Sequence, residues 1–209
     1  MQKNFTKYLA AMALTGWVGV ATSASAQEMY SPDNWQVRVR AIGVLPDVDS
    51  SVNIGGKTDV GNAITPELDI SYFFTKNIAA ELILATAQHK ITYNGNTDLG
   101  NAWILPPTLT LQYHFMPDSQ FSPYLGAGLN YSMFYGEKAG AGFTNLNVDG
   151  GLGYALQAGA DYWLDEHWGL NLDVKKIFLN IDGEVNNGNI RTDIDLDPWI
   201  VGAGVSYRF

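Results

Sequence analysis

Apolar side chains recur at every second position in eight segments of the chain, and small or polar side chains fill the positions between them. In the last segment one face is wholly apolar, with Trp199, Val201, Ala203, Val205, Tyr207 and Phe209. The other face carries Ile200, Gly202, Gly204, Ser206 and Arg208. A period of two predicts β-strands, and aromatic residues at both ends of an apolar face are typical of a strand that crosses a membrane.

The other seven segments begin near residues 35, 67, 81, 108, 123, 156 and 170, and the connections between them alternate in length. Residues 75–77, 116–121 and 165–167 are short connections, whereas those around 46–62, 88–102, 136–152 and 180–193 are long. This alternation predicts short periplasmic turns and long external loops, with the stretch 136–153 a mobile loop. We therefore predict an all-β fold, an eight-stranded antiparallel transmembrane β-barrel with both chain ends on the periplasmic side.

A sheet that crosses a membrane must close into a barrel, because the hydrocarbon of the bilayer offers no hydrogen-bond partner to an unpaired strand edge. A soluble β-sandwich is the alternative. It would bury one face of each strand, but it would not need aromatic residues around the other face. The barrel is therefore favoured.

The first 26 residues have the three parts of a secretory signal peptide. Lys3 and Lys7 come first, an apolar stretch follows, and Ala24-Ser25-Ala26 has the pattern of a cleavage site. The apolar stretch is shorter than the roughly 20 residues of a membrane-spanning helix. We predict a cleaved signal peptide over residues 1–26 and one barrel domain over 27–209, located in the outer membrane of a Gram-negative bacterium.

Composition adds two exclusions. The chain has no cysteine, so export does not depend on disulfide bonds, and its formal net charge of −9 disfavours nucleic acid as a partner.

Two places break the alternation of apolar and polar positions. Lys176 has lipid-face parity, which requires a position near the outer rim or a bulge. Asp193, Asp195 and Asp197 share parity with Trp199, so they lie above the membrane or Pro198 marks a reversal of the faces.

The inward-facing positions predict two groups of lumen residues. A charged group contains Arg38, Arg40, Glu67, Asp69, Glu81, Asp161, Asp173, Lys175 and Arg208. Its signs nearly balance, which favours a paired network over a charge-selective constriction. An apolar group contains Ile42, Phe73, Ile83, Phe134, Trp163 and Ile177. These side chains either line an apolar path or fill the core, and parity alone leaves both possibilities open.

Several segments together resemble the outer membrane protein W (OmpW) family. They are the strand from Trp35 to Arg38, Tyr72-Phe73, Leu105-Pro106-Pro107-Thr108-Leu109, the block from Pro123 to Tyr131, Asp197-Pro198-Trp199 and the ending Gly204 to Phe209. The resemblance implies an eight-stranded barrel with a narrow, largely apolar interior that carries small hydrophobic molecules. Lys175 departs from such an apolar lining. The terminal Tyr207 and Phe209 indicate recognition by the barrel-assembly machinery.

Three functions follow as hypotheses. The first is a narrow channel or binding conduit for small hydrophobic or amphiphilic molecules, with Ile83, Phe134 and Trp163 in its lining. The second is a structural or receptor barrel whose external loops contact lipopolysaccharide, phage, colicin or host surfaces. The third, a lipid-acting enzyme, is disfavoured because no nucleophile accompanies His89, His114 or His167 in sequence.

No cofactor is predicted. The three histidines are scattered over the chain, which argues against a transition-metal site. The run Asp193, Asp195 and Asp197 could hold Ca²⁺ or Mg²⁺ bridging to lipopolysaccharide, although a solvated rim is favoured. The expected partners are therefore outer-membrane lipids and lipopolysaccharide, the barrel-assembly machinery and small hydrophobic solutes.

Overall fold

The computed structural model describes residues 34–209, and this part of the chain forms fifteen β-strands. The strands are β1 (Trp35–Leu45), β2 (Val48–Val52), β3 (Thr58–Val60), β4 (Ala63–Phe73), β5 (Ile78–Ala85), β6 (Ala87–Tyr93), β7 (Thr97–Leu105), β8 (Thr108–His114), β9 (Phe121–Ala139), β10 (Leu146–Val148), β11 (Gly151–Trp163), β12 (Trp168–Phe178), β13 (Asn180–Val185), β14 (Ile190–Leu196) and β15 (Trp199–Arg208). The predicted signal peptide and its cleavage site lie outside the described residues. No helix within 34–209 is long and apolar enough to cross a membrane.

Eight of these strands form a closed antiparallel barrel in the order β1, β4, β5, β8, β9, β11, β12, β15. The first and last strands close the ring, with paired residues from Gln36 and Arg208 at one end to Leu45 and Trp199 at the other. The backbone N–H of Phe209 also donates to the carbonyl of Trp35 across 3.1 Å. The predicted eight-stranded transmembrane barrel is confirmed.

The two faces of the wall follow the predicted parity in all eight strands. On β8, for example, Leu109 and Leu111 are both 58% exposed on the outer face, whereas Thr110 and Gln112 are buried inside. Within the wall, the paired strands β8 and β9 approach closely at a glycine. A Cβ atom on Gly128 would collide with the carbonyl oxygen of Leu109 and with Cα of Thr110.

Two of the three short turns are stabilised by the side chains of their own residues. Asp165 accepts hydrogen bonds from the backbone N–H groups of His167 and Trp168 across 2.8 and 2.6 Å. Because these bonds favour the charged carboxylate, the pKa of Asp165 is lowered. The hydroxyl of Thr75 accepts in the same way from Asn77 and Ile78. Turns of this kind need only a short polar side chain at their start.

The long connections differ from the predicted loops because most of their residues are also β-structure. Strands β2, β14, β13 and β10 form one sheet beyond the barrel, and β3, β6, β7 and the end of β9 form another. The stretch 136–153, predicted to be a mobile loop, contains the end of β9 and all of β10. We call these extensions the rim. Their alternating apolar side chains continue the barrel pattern, which explains why they pair instead of forming loops.

The two breaks in parity are both explained at the rim. Lys176 pairs with Trp199, and its Nζ donates to the carbonyl of Asp197 across 2.6 Å and lies 3.4 Å from a carboxylate oxygen of Asp47. A lysine on the lipid face thus reaches polar partners at the rim. Asp193 and Asp195 lie on the exposed face of β14, beyond the barrel strands, so no reversal of faces occurs at Pro198.

Candidate functional site: a charged plug beneath an apolar cavity

Eight of the predicted charged residues contact one another inside the barrel in a cluster that we call the plug: Arg38, Arg40, Glu67, Asp69, Glu81, Asp161, Asp173 and Lys175. Alternation places them there, since adjacent inward positions on a strand are two residues apart. Each residue is at most 3% exposed. The members come from β1, β4, β5, β11 and β12, so the plug ties opposite walls of the barrel together.

Arg38 is the centre of the half of the plug nearer the short turns. Its Nη2 lies 2.7 Å from a carboxylate oxygen of Asp161, its Nε lies 3.2 Å from the other, and its Nη1 contacts Glu81. Ser206 and Asn171 also donate to Asp161, across 2.6 and 2.9 Å. The planar guanidinium therefore links two carboxylates from different strands, which a lysine could not do with the same geometry.

Arg40 and Lys175 form the other half. Arg40 lies 3.0 Å from Glu67, 2.6 Å from Asp69 and 3.3 Å from Asp173. Lys175 lies 2.7 Å from Glu67 and 2.9 Å from Asp173. Lys175, which departs from an apolar lining, is thus one of the cations that hold the carboxylates of the plug together. Buried charges of this kind are tolerated only when they are paired and hydrogen-bonded.

Neutral polar side chains fill the space between the charges. Tyr124 donates to Asp173 across 2.8 Å, and its ring lies 5.0 Å from the Arg38 guanidinium and 5.0 Å from the ring of His114. Gln157 donates to Glu81 and to Asp173 across 2.9 and 2.8 Å. With these side chains in place, little room is left for a continuous water column through an eight-stranded barrel.

Arg208 lies apart from the plug, at the end of the barrel that carries the short turns. Its guanidinium is 4.0 Å from the ring centre of Trp163 and 5.9 Å from that of Phe73, and no ion pair joins it to a carboxylate in the described part of the chain. Phe73 also packs on His114 at 4.9 Å. Two of the six predicted lining residues, Phe73 and Trp163, thus lie on this side of the plug.

A cavity of about 50 Å³ lies on the opposite side of the plug, toward the rim. Its lining is mostly apolar and includes Ile42, Val44, Ile83, Ile104, Ile177 and Ile200. Glu67 and Lys175 also line it, so the plug forms its floor. The cavity is smaller than the roughly 150 Å³ of an engineered apolar cavity that holds benzene. A solute of that size therefore enters only if the surrounding side chains move.

Three of the predicted lining residues, Ile42, Ile83 and Ile177, border this cavity. Phe134 is partly buried and packs against an apolar cluster that joins the upper barrel to the rim. That cluster also contains Ile91, Leu99, Leu179, Ile181, Ile194 and Leu196. Apolar side chains of this cluster, among them Leu179 and Leu196, therefore border the cavity on its rim side.

The barrel wall beside the cavity contains a gap in its backbone pairing. The β4–β5 ladder ends at Glu67 and Ala85, and the β3–β6 ladder ends at Val60 and Ile91. Between them, no backbone hydrogen bond joins residues 62–66 to residues 86–89 in the described chain. Pro66 lies in this stretch and has no N–H to donate.

Two side-chain hydrogen bonds bridge the two sides of this region. Thr65 Oγ1 donates to the carbonyl of Thr86 across 2.6 Å, and His89 Nδ1 lies 2.7 Å from the carbonyl of Gly61. Both Thr65 and His89 also line the cavity. Residues 62–66 and 86–89, with these two bonds, form what we call the wall gap.

The sequence interpretation missed several residues of this site. Tyr124, Gln112, Gln157 and Asn171 are all buried in the lumen, and their inward parity was visible, but it gives no indication of a contact across the barrel. The apolar cluster of the rim had a clear signal. The alternation through Ala87, His89 and Ile91 continues beyond the barrel strand, which indicates paired strands.

The described residues contain no group of three or more His, Asp or Glu side chains arranged to hold a metal ion. His89 lines the cavity, His114 lies beside Tyr124 and Phe73, and His167 lies in the turn before β12, where its ring stacks on Tyr207 at 5.8 Å. Tyr207 also contacts the rings of Trp168 and Phe209, at 4.8 and 5.0 Å.

The chain matches the model of the OmpW family over residues 33–209. It is 47% identical to the uncharacterized outer-membrane protein y4mB of Sinorhizobium fredii, with both chains fully covered. It is 31% identical to outer membrane protein W of Vibrio cholerae, covering 90% of this chain and 94% of that one. The crystal structure of the outer membrane protein OprG from Pseudomonas aeruginosa superposes with a TM-score of 0.79 and 29% identity, covering 84% of this chain and 95% of that one. A closed eight-stranded barrel with this match over its whole length is an outer-membrane protein, and the chain belongs to the OmpW family.

Proposed function

We propose that the barrel binds small hydrophobic or amphiphilic molecules in the apolar cavity and releases them sideways into the membrane through the wall gap. The observation that carries the proposal is the position of the cavity between the charged plug and the unpaired stretch of wall. Apolar solutes gain free energy on leaving water for such a lining. They gain nothing from crossing a layer of ion pairs, whose charges would lose their partners.

The wall gap supports this route because opening it breaks few bonds. Along the β4–β5 and β5–β8 ladders, separating two strands breaks a series of backbone hydrogen bonds. At the wall gap, the bonds to be broken are those from Thr65 to the carbonyl of Thr86 and from His89 to the carbonyl of Gly61. The outer face of the gap carries Ile64, which is 87% exposed and so meets the hydrocarbon directly.

The proposed function is tested by filling the cavity. We expect Ile83→Trp to reduce severalfold the rate at which cells with an intact outer membrane take up radiolabelled toluene. Ile83 is 3% exposed and borders the cavity, so the larger ring occupies the volume that a solute would use. Overpacking of this kind typically costs about 1–3 kcal/mol, so the barrel is expected to assemble.

The matched control is Leu82→Trp, one residue away on the lipid face, where the same ring projects into the bilayer. It should leave uptake unchanged. Equal uptake by wild type and Ile83→Trp, with both proteins folded in the outer membrane, would contradict a route through this cavity. The receptor hypothesis would then gain weight, since the rim presents an ordered surface of paired strands. Catalysis has no place in the proposed function, which needs only binding and release.

A further inference from the structure

We propose that His89 selects, among apolar solutes, those that carry a single hydrogen-bond donor such as a hydroxyl group. The inference rests on the proposed function and adds a substrate class to the same cavity. It depends on which nitrogen of the imidazole carries the proton, and on which polar groups of the cavity wall are already occupied.

The tautomer of His89 follows from its partner. Nδ1 lies 2.7 Å from the carbonyl oxygen of Gly61, which can only accept a hydrogen bond, so Nδ1 must carry the proton. The ring is 9% exposed, and no carboxylate pairs with it in the described chain, so burial favours the neutral imidazole. In a neutral imidazole protonated at Nδ1, Nε2 has a free lone pair.

No side chain or backbone group in the described chain donates a hydrogen bond to Nε2 of His89. The hydroxyl groups of the lining do not supply a donor for Nε2, because each already donates its hydrogen elsewhere. Thr65 donates to the carbonyl of Thr86 across 2.6 Å, Thr108 donates to that of Pro106 across 3.0 Å, and Ser132 donates to Asn130 across 2.8 Å. His89 thus adds an acceptor without a partner to a mostly apolar wall.

A solute that is apolar apart from one hydroxyl group matches this lining. Its hydrocarbon part contacts the isoleucines, and its O–H donates to Nε2 of His89 without losing a hydrogen bond on leaving water. A pure hydrocarbon leaves the acceptor unpaired, and unpaired buried polar groups are unfavourable. Sites that bind mostly through apolar contacts commonly obtain specificity from a few polar groups placed in this way.

The experiment compares benzyl alcohol with toluene, by nuclear magnetic resonance titration of the full-length mature barrel in lipid nanodiscs. Two substitutions separate the nitrogens of His89. In His89→Asn the amide nitrogen still reaches the Gly61 carbonyl but nothing replaces Nε2, whereas His89→Gln carries an amide oxygen to the Nε2 position. Comparing the ratio of affinities between variants cancels the difference in hydrophobicity between the two solutes.

We expect the preference for benzyl alcohol over toluene to fall about fivefold in His89→Asn, as the loss of one ordinary hydrogen bond predicts. His89→Gln should retain most of it. An unchanged ratio in His89→Asn, with both solutes still bound, would overturn the inference and leave the proposed function standing. Failure of the wild-type barrel to bind either solute would overturn both. Should His89→Asn not assemble, His89→Phe also removes Nε2 and is expected to show the same fivefold fall.

Discussion

Replacement of Arg38 by methionine is expected to lower the free energy of unfolding of the barrel by about 3–5 kcal/mol, the usual effect of removing one partner of a buried ion pair. Arg38 is fully buried and pairs with both Glu81 and Asp161. Methionine keeps the apolar stem of the side chain but leaves two carboxylates in the lumen without their cation. Equilibrium unfolding in urea, followed by the shift in gel mobility of the folded barrel, measures the change.

Two variants make this result interpretable. Val39→Met introduces the same residue on the lipid face next to Arg38 and should change stability little. The triple variant Arg38→Met, Glu81→Gln and Asp161→Asn removes the unpaired charges and should recover much of the loss. Equal stability of Arg38→Met and Val39→Met would show that the pairs of Arg38 contribute nothing, and the account of the plug given above would be wrong.

Removal of the Tyr124 ring is expected to produce the largest change in permeability. The wild-type barrel should conduct ions in small steps or not at all, because side chains fill its lumen. Tyr124 is 1% exposed and lies between the Arg38 guanidinium and the His114 ring. Tyr124→Ala therefore opens a space within the plug that water can enter, since the surrounding groups are polar. We expect single-channel conductance in planar bilayers to rise severalfold.

Tyr124→Phe is the matched control for this measurement. It keeps the ring and removes only the hydroxyl, which bonds Asp173 and lies 3.3 Å from Arg40. Leaving these charged groups without that hydroxyl should cost about 1–3 kcal/mol of stability while the lumen stays closed. A conductance of Tyr124→Ala no greater than that of Tyr124→Phe would mean that another part of the lumen limits ion flow.

The alternation of residues along each strand was sufficient to predict the barrel itself. Each strand places its residues alternately toward lipid and lumen, so parity alone identifies both faces of β8 or β15 without knowledge of their neighbours. The short turns at residues 75–77 and 165–167 were equally predictable, because their hydrogen bonds are made by Thr75 and Asp165 within the turn. The strands of the rim differ from the predicted loops because a polar and glycine-rich composition is shared by loops and by exposed strands.

Parity could not indicate which inward residues meet. Arg38 and Asp161 are 123 positions apart, and their contact depends on the diameter of the closed barrel. The same holds for Arg208, which parity places with the charged group and which instead packs on Trp163 at the end of the lumen. Parity gives the direction of a side chain from its strand, whereas height along the barrel depends on how the strands are staggered.

The sequence by itself determined the eight membrane strands, the inward position of the charged residues and the family, because these depend on alternation along the chain and on local motifs. Only the tertiary structure decided that the charges form one plug, that an apolar cavity lies on its rim side and that His89 and the wall gap border this cavity. Those features depend on the closure and stagger of the barrel, which bring residues from distant strands to the same height.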